Sequence, residues 1–208
     1  MMGALKLSAC IEMIFNDREF LERIDGVARA GLPAFEFWTW KQKDMEAIKA
    51  RADANGVEIA AFCVQCDHKL VNPETTAAWV EEAKPSLAEA KRLGVDTLIV
   101  TTGNEIEGLS RDEQHQAIVA GLKGLAPFAE GAGITVCLEP LNLRVDHAGY
   151  YLSTSEEGFQ ILDEVGSPRV KLLFDIYHQQ ITEGDLISRI TSNISKIGHF
   201  HVADVPGR

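Results

Sequence analysis

The sequence is poor in basic residues, in cysteine and in long apolar runs, and each shortage excludes something. Lysine and arginine number 20 against 31 aspartate and glutamate, a formal net charge of −11. A general nucleic-acid binder normally presents a basic face, so this balance argues against one while leaving room for a local positive pocket. No apolar stretch approaches the roughly 20 residues of a membrane span. The opening MMGALKLSAC carries no signal-peptide pattern. The four cysteines, Cys10, Cys63, Cys66 and Cys137, lie in apolar runs and are expected to be reduced core residues of a cytoplasmic protein. Cys63 and Cys66 have C-x-x-C spacing. A redox pair normally opens a helix, whereas this one ends a strand-like run, so packing is the expected role.

What is present is ordinary globular usage: 46% hydrophobic and 25% charged residues over 208 positions, with 17 glycines spread along the chain. One domain spanning residues 1–208 is the expectation, and acidity of this degree suits a soluble protein with a small-molecule substrate. A homo-oligomer is left open.

Strand-like runs recur at Leu5–Ile11, Ala34–Trp38, Val57–Val64, Thr97–Thr101, Ile134–Leu138, Val170–Phe174 and Ile197–Val202. Several are continuously apolar, as parallel strands buried on both faces require. Helical stretches lie between them at about 17–30, 44–55, 74–93, 111–130, 155–165 and 184–195. Glycines 31, 56, 94, 131, 133, 166 and 198 punctuate the helix-to-strand passages, where a left-handed residue is often needed. Ser110-x-x-Glu113 and Thr154-x-x-Glu157 read as capping boxes. Pro85 and Pro127 predict a kink or a later start in two helices.

Strands alternating with helices indicate an all-parallel α/β sheet. No G-x-G-x-x-G follows the first strand and no Walker loop appears, which weakens a doubly wound sheet. Polar residues cluster at the carboxyl ends of strands, where barrels carry their active sites. The expected fold is therefore a (β/α)₈ TIM barrel with about seven β/α units in this sequence, the eighth strand missing.

Glu139 closes the fifth run (ITVCLE), Asp175 the sixth (VKLLFD), and His201 lies at the end of the seventh (IGHFH). A charge at the end of a buried wall is costly unless paired or bound to a cation. Three such residues on successive strands suggest a divalent metal site, against the alternative of helix caps and a satisfied core histidine. His178, in the expected loop after the sixth strand, is a candidate for touching substrate. His199 shares a strand face with His201, and either could point inward. Glu36, Trp38, His68 and Asn104 are further candidates for the pocket wall. The segment 142–151 (NLRVDHAGYY) either covers the pocket or is a surface loop tied down by its tyrosines.

The segments LEPLN (138–142), DHAGYYL (146–152), DEVGSPRVKLLFDIYHQQ (163–180) and KIGHFHVADVPGR (196–208) resemble the hydroxypyruvate isomerase family of the xylose isomerase-like barrels. The resemblance implies one divalent cation, Mg²⁺, Mn²⁺ or Co²⁺ with Zn²⁺ as an alternative, held by Glu139, Asp175 and His201. It gives Glu139 a proton-transfer role and His178 and Arg208 substrate contacts. The family's fourth ligand, a glutamate ending the eighth strand, has no counterpart up to Arg208. The 208 residues are accordingly expected to represent a longer polypeptide, and to be inactive as a monomer if they do not. The ligand on the seventh strand is glutamine in some hydroxypyruvate isomerases and histidine in sugar epimerases, so His201 leaves the substrate open.

The chemistry implied is proton transfer between adjacent carbons of an α-hydroxy carbonyl compound through an enediolate. The leading expectation is an isomerase of hydroxypyruvate and tartronate semialdehyde type. A ketose 3-epimerase is the alternative within the class. An abasic-site nuclease and a non-catalytic barrel are alternatives outside it.

Overall fold

The computed structural model describes residues 5–208. The first four residues of MMGALKLSAC, and that part of the leader reading, lie outside the described residues. The strands are β1 (Ser8–Cys10), β2 (Ala34–Phe37), β3 (Glu58–Cys63), β4 (Thr97–Val100), β5 (Thr135–Leu138), β6 (Val170–Asp175) and β7 (Ile197–His201). The helices are α1 (Phe20–Arg29), α2 (Met45–Asn55), α3 (Thr76–Leu93), α4 (Arg111–Ala132), α5 (Ser155–Val165), α6 (Ile176–Thr182) and α7 (Leu186–Asn193). All adjacent strands pair in parallel, in the order β1-β2-β3-β4-β5-β6-β7. A doubly wound sheet reverses its order at a switch point. This one never reverses, which is the order of a barrel wall.

The wall is curled. Side chains of β2 and β7, far apart in sheet order, meet across the interior, with His199 Nε2 2.9 Å from Glu36 Oε2. Strand parity decides which residues face that interior. Val136 and Leu138 of β5, and Val170, Leu172 and Phe174 of β6, join the core between sheet and helices. The alternate positions, Cys137 and Leu173, join Ala61 and Ile99 in a small inner layer. Two residues further on, the same faces carry Glu139 and Asp175.

The sequence expectations need correction at several points. A seventh helix, α6, starts directly after β6, where a loop was expected, because Asp175 caps it by accepting from His178 N–H. α3 and α4 run through Pro85 and Pro127, α3 starting at Thr76, two residues later than expected. Each buries an extensive apolar face, including Trp79, Leu87, Leu122 and Leu125, which offsets the lost hydrogen bond. The Ser110–Glu113 capping box is complete, but at Thr154 only the forward half forms. The Glu157 carboxylate is instead taken by Tyr151 Oη at 2.8 Å and Arg111 Nη2 at 2.5 Å.

Gly133 adopts the expected left-handed cap, φ 78°. Gly131 lies inside α4 and Gly198 inside β7. Gly198 is needed for space: a Cβ there would come within 2.7 Å of Lys171 Cβ and 2.8 Å of Cys137 Sγ. None of the helices among the described residues is long and apolar enough to cross a membrane.

Candidate metal and catalytic site

β5, β6 and β7 end side by side, and their terminal residues converge. His201 Nδ1 is 3.1 Å from Glu139 Oε1 and 3.7 Å from Asp175 Oδ2. Glu139, Asp175 and His178 offer ligand atoms that all lie within 4.8 Å of one another. His201 belongs to a second such group with Glu36 and His199, and its Nδ1 contacts bring it beside the first, so the three expected strand-end residues neighbour one another. Asp175 also fulfils the alternative reading, since its Oδ1 caps α6 while Oδ2 faces the two histidines.

His178 sits in α6 rather than in a loop, and it is buried. Its Nδ1 faces the backbone N–H of Asn142 at 3.2 Å. Burial pushes its pKa below the usual imidazole value, although Asp175 and Glu139 work in the other direction. Nε2 lies 3.6 Å from Asp175 Oδ2 and 3.1 Å from Arg208 Nη2. The Arg208 guanidinium packs 4.3 Å from the Tyr177 ring centre and 3.6 Å from Asp146 Oδ2. Arg208 thus brings a positive charge to the same mouth.

The seventh strand supplies both histidines. His199 and His201 point to the same side, ring centres 5.3 Å apart, so neither excludes the other as the inward residue. Glu36 of β2 meets both, 2.9 Å from His199 Nε2 and 3.0 Å from His201 Nε2. Burial alone would raise the Glu36 carboxyl. Its two histidine partners outweigh that and hold it down at about 2. Burial disfavours charge on His201, but the carboxylates of Asp175, Glu139 and Glu36 around the ring raise it well above the ordinary histidine value. Burial likewise opposes ionisation of Asp175, and its histidine partners keep it below the usual carboxylate range.

The remaining candidates divide. Trp38 is exposed and His68 pairs with the surface residue Glu82 at 2.7 Å, with no contact to the cluster among the described residues. Asn104 bridges Tyr150, stitching the segment 142–151 to the loop after β4. That segment is held by its tyrosines. Tyr150 Oη accepts from Thr102 N–H at 2.8 Å and donates to the Glu139 carbonyl at 3.0 Å. Asn142 was missed from sequence, yet its side chain joins Asp146 and His178 at 2.7 Å each. Its place in LEPLN, two residues past the buried Pro140, was the available signal.

A divalent cation suits this donor set. Carboxylate oxygens and imidazole nitrogens are matched to Mg²⁺, Mn²⁺, Co²⁺ and Zn²⁺, and the buried Glu139, Asp175 and His178 bring such ligand atoms within 4.8 Å of one another. The free cysteines show no such convergence. Burial drives the Cys63 thiol far above its ordinary value and Cys66 to about 12, as packing residues.

Comparison with known proteins agrees with the fold. The chain is 31% identical to a 2-oxo-tetronate isomerase of Cupriavidus necator, the match covering 98% of this chain and 80% of that one. It is 28% identical to the hydroxypyruvate isomerase of Escherichia coli, over 98% of this chain and 81% of the relative. A solved structure, an AP endonuclease of family 2 from Brucella melitensis, superposes with a TM-score of 0.88 at 26% identity, covering 98% of this chain and 81% of that chain. Residues 24–208 match the model of the xylose isomerase-like TIM barrel. Sequential parallel strands in a curled wall accord with that match, and the chain belongs to the xylose isomerase-like TIM barrel family.

Proposed function

We propose that this protein is a divalent-metal-dependent isomerase of short hydroxy-oxo acids, of the hydroxypyruvate and tartronate semialdehyde type. The observation that carries the reading is the meeting of Glu139, Asp175 and His201 at one buried point beside Arg208 and His178. The named activities of the C. necator and E. coli relatives support the same class of reaction.

Glu139, Asp175 and His201 would hold the cation, with His178 close enough to Glu139 and Asp175 to serve as a further donor. When bound, the cation polarises the substrate carbonyl and offsets the negative charge that develops as the neighbouring C–H is lost. Arg208 fits the carboxylate of a hydroxy-oxo acid, since a guanidinium binds a carboxylate through two parallel hydrogen bonds. Glu139 takes the proton from one carbon and returns it to the next, which requires a carboxylate within hydrogen-bond reach of both. The buried Asn142–His178 pair and the Tyr150 anchor hold the segment 142–151 over this point, which limits water at the enediolate stage.

A ketose 3-epimerase is the second reading, favoured by histidine rather than glutamine at position 201. The nuclease reading raised by the Brucella neighbour wants a basic groove, and 31 acidic against 20 basic residues disfavour it. The test is a substrate panel with metal added after chelation. Hydroxypyruvate and its aldehyde isomer should interconvert only with the cation restored, and free ketoses and abasic DNA should be unchanged. Turnover of ketoses alone would transfer the assignment to the epimerase, and undiminished turnover in chelator would end the metal reading.

A further inference from the structure

Glu36 and His199 sit beside the site without belonging to the ligand set assigned above, although with His201 they offer a second group of ligand atoms within 4.8 Å of one another, and a buried Glu36 needs a reason. Glu36 is only 5% exposed. An ionised carboxylate in such a place is stabilised only by partners, and its partners are the two β7 histidines. The His201 ring presents its two nitrogens to different groups: Nδ1 to Glu139 and Asp175, Nε2 to Glu36 Oε1 at 3.0 Å. That Nε2 is buried, and among the described residues it completes no well-aligned hydrogen bond; Glu36 Oε1 is the acceptor standing beside it.

The backbone is arranged to make this meeting. The β2–β3 register slips between Phe35 and Glu36, and the β6–β7 register slips between Leu172 and Leu173, opposite Gly198. Such irregularities re-aim the side chains that follow them, here Glu36 and His199. Gly198 leaves room for β7 to lie against Lys171 and Cys137.

We propose that Glu36 is a positioning residue for the cation site: fixed by His199, its carboxylate stands 3.0 Å from His201 Nε2 and takes that N–H when Nδ1 engages a cation beside Glu139 and Asp175. The proposal rests on the metal reading of that site. A ring nitrogen that ligates a cation is made a better donor when the opposite N–H is held by a carboxylate, and loss of such a partner typically costs about 10–100-fold in metal affinity. His199 acts one step further out, by fixing the carboxylate.

The experiment measures Mn²⁺ affinity and the slowly exchanging imidazole N–H proton resonances of ¹⁵N-histidine-labelled full-length protein, with and without Mg²⁺. Wild type is compared with Glu36→Gln, Glu36→Asp, His199→Gln and, as ligand controls, Glu139→Gln and Asp175→Asn. The expected result is about 10–100-fold weaker Mn²⁺ binding in Glu36→Gln, with partial rescue in Glu36→Asp and a smaller loss in His199→Gln. The His201 Nε2–H resonance should be present in wild type and lost in Glu36→Gln, and kcat should recover at saturating Mn²⁺. If Glu36→Gln does not fold, Glu36→Asp and His199→Gln carry the same comparison. Wild-type Mn²⁺ affinity in all three variants, or no protected Nε2–H in wild type, overturns the proposal. If wild type binds no cation, the metal reading fails by itself, and the Nε2–H resonance alone decides whether Glu36 holds His201.

Discussion

His201 Nδ1 lies 3.1 Å from Glu139 Oε1, although 62 positions separate the two residues in the chain. The contact joins the ends of β5 and β7 across the end of β6, so the carboxylate proposed to transfer the proton and an imidazole meet beside Asp175. Removing the Glu139 charge while keeping its shape should therefore separate turnover from substrate binding. Glu139→Gln is expected to lower kcat by at least about 10²-fold, the typical contribution of a positioned general base, with a much smaller change in substrate affinity at saturating metal. Single-turnover kinetics with equilibrium substrate binding check this. A Gln variant with wild-type kcat removes Glu139 from the proton-transfer role.

The second expectation concerns β7 packing. Gly198→Ala places a methyl group 2.7 Å from Lys171 Cβ and 2.8 Å from Cys137 Sγ, closer than carbon and sulfur tolerate. Lys171 and Cys137 belong to the strands beneath, so β7 must shift rather than a flexible tip. The variant should lose about 1–3 kcal/mol of stability, and His199 and His201 should move with the strand. Urea denaturation and the Mn²⁺ affinity of the folded variant report the two effects. Unchanged values for both would mean that the strand accommodates a side chain there.

The strand ends were legible in sequence because parity and position suffice for them. Once Cys137 and Leu173 are placed on an inward face, Glu139 and Asp175 follow two residues later, and apolar runs mark where each strand stops. Seven strands fell within a few residues of their expected bounds for the same reason. Glu36 was named only as a pocket-wall candidate, since its role depends on a contact with residues 163 and 165 positions away that no local pattern encodes. α6 was read as a loop because the side chain that caps it, Asp175, is also the last residue of a strand. One residue served two elements, and a sequence pattern assigns it to one.

Cysteine reactivity gives a third expectation, with its sign set by burial. The thiolate is the reactive form, and desolvation raises Cys10 to about 11 and Cys66 to about 12. At pH 8 the thiolate fraction of Cys66 is then on the order of 10⁻⁴. Alkylation by iodoacetamide should be slow in native protein at pH 8, accelerate as pH rises toward those values, and become fast in urea. Mass spectrometry of timed quenches measures it. Rapid labelling of Cys66 near neutral pH would restore the redox reading of the C-x-x-C spacing.

The last expectation separates two helix starts that look alike in sequence. Ser110 and Glu113 close a full reciprocal box at α4, and both groups are exposed. Glu157, at the equivalent place in α5, leaves the cap and binds Tyr151 Oη, Arg111 Nη2 and, at 3.3 Å, His115 Nδ1. It thereby ties the start of α5 to the start of α4 and to the end of the segment 142–151. Glu113→Ala removes two solvent-accessible hydrogen bonds, from Ser110 N–H and Ser110 Oγ, at a helix end and should cost at most about 1 kcal/mol. Glu157→Ala strips partners from a part-buried tyrosine hydroxyl and an arginine at once, and should cost about 1–3 kcal/mol. Because the freed segment also carries Asn142 and Asp146, Glu157→Ala should raise KM for substrate while Glu113→Ala leaves it unchanged. Denaturation midpoints and steady-state kinetics on the two variants decide the matter, and equal effects would show that Glu157 does no more than cap its own helix.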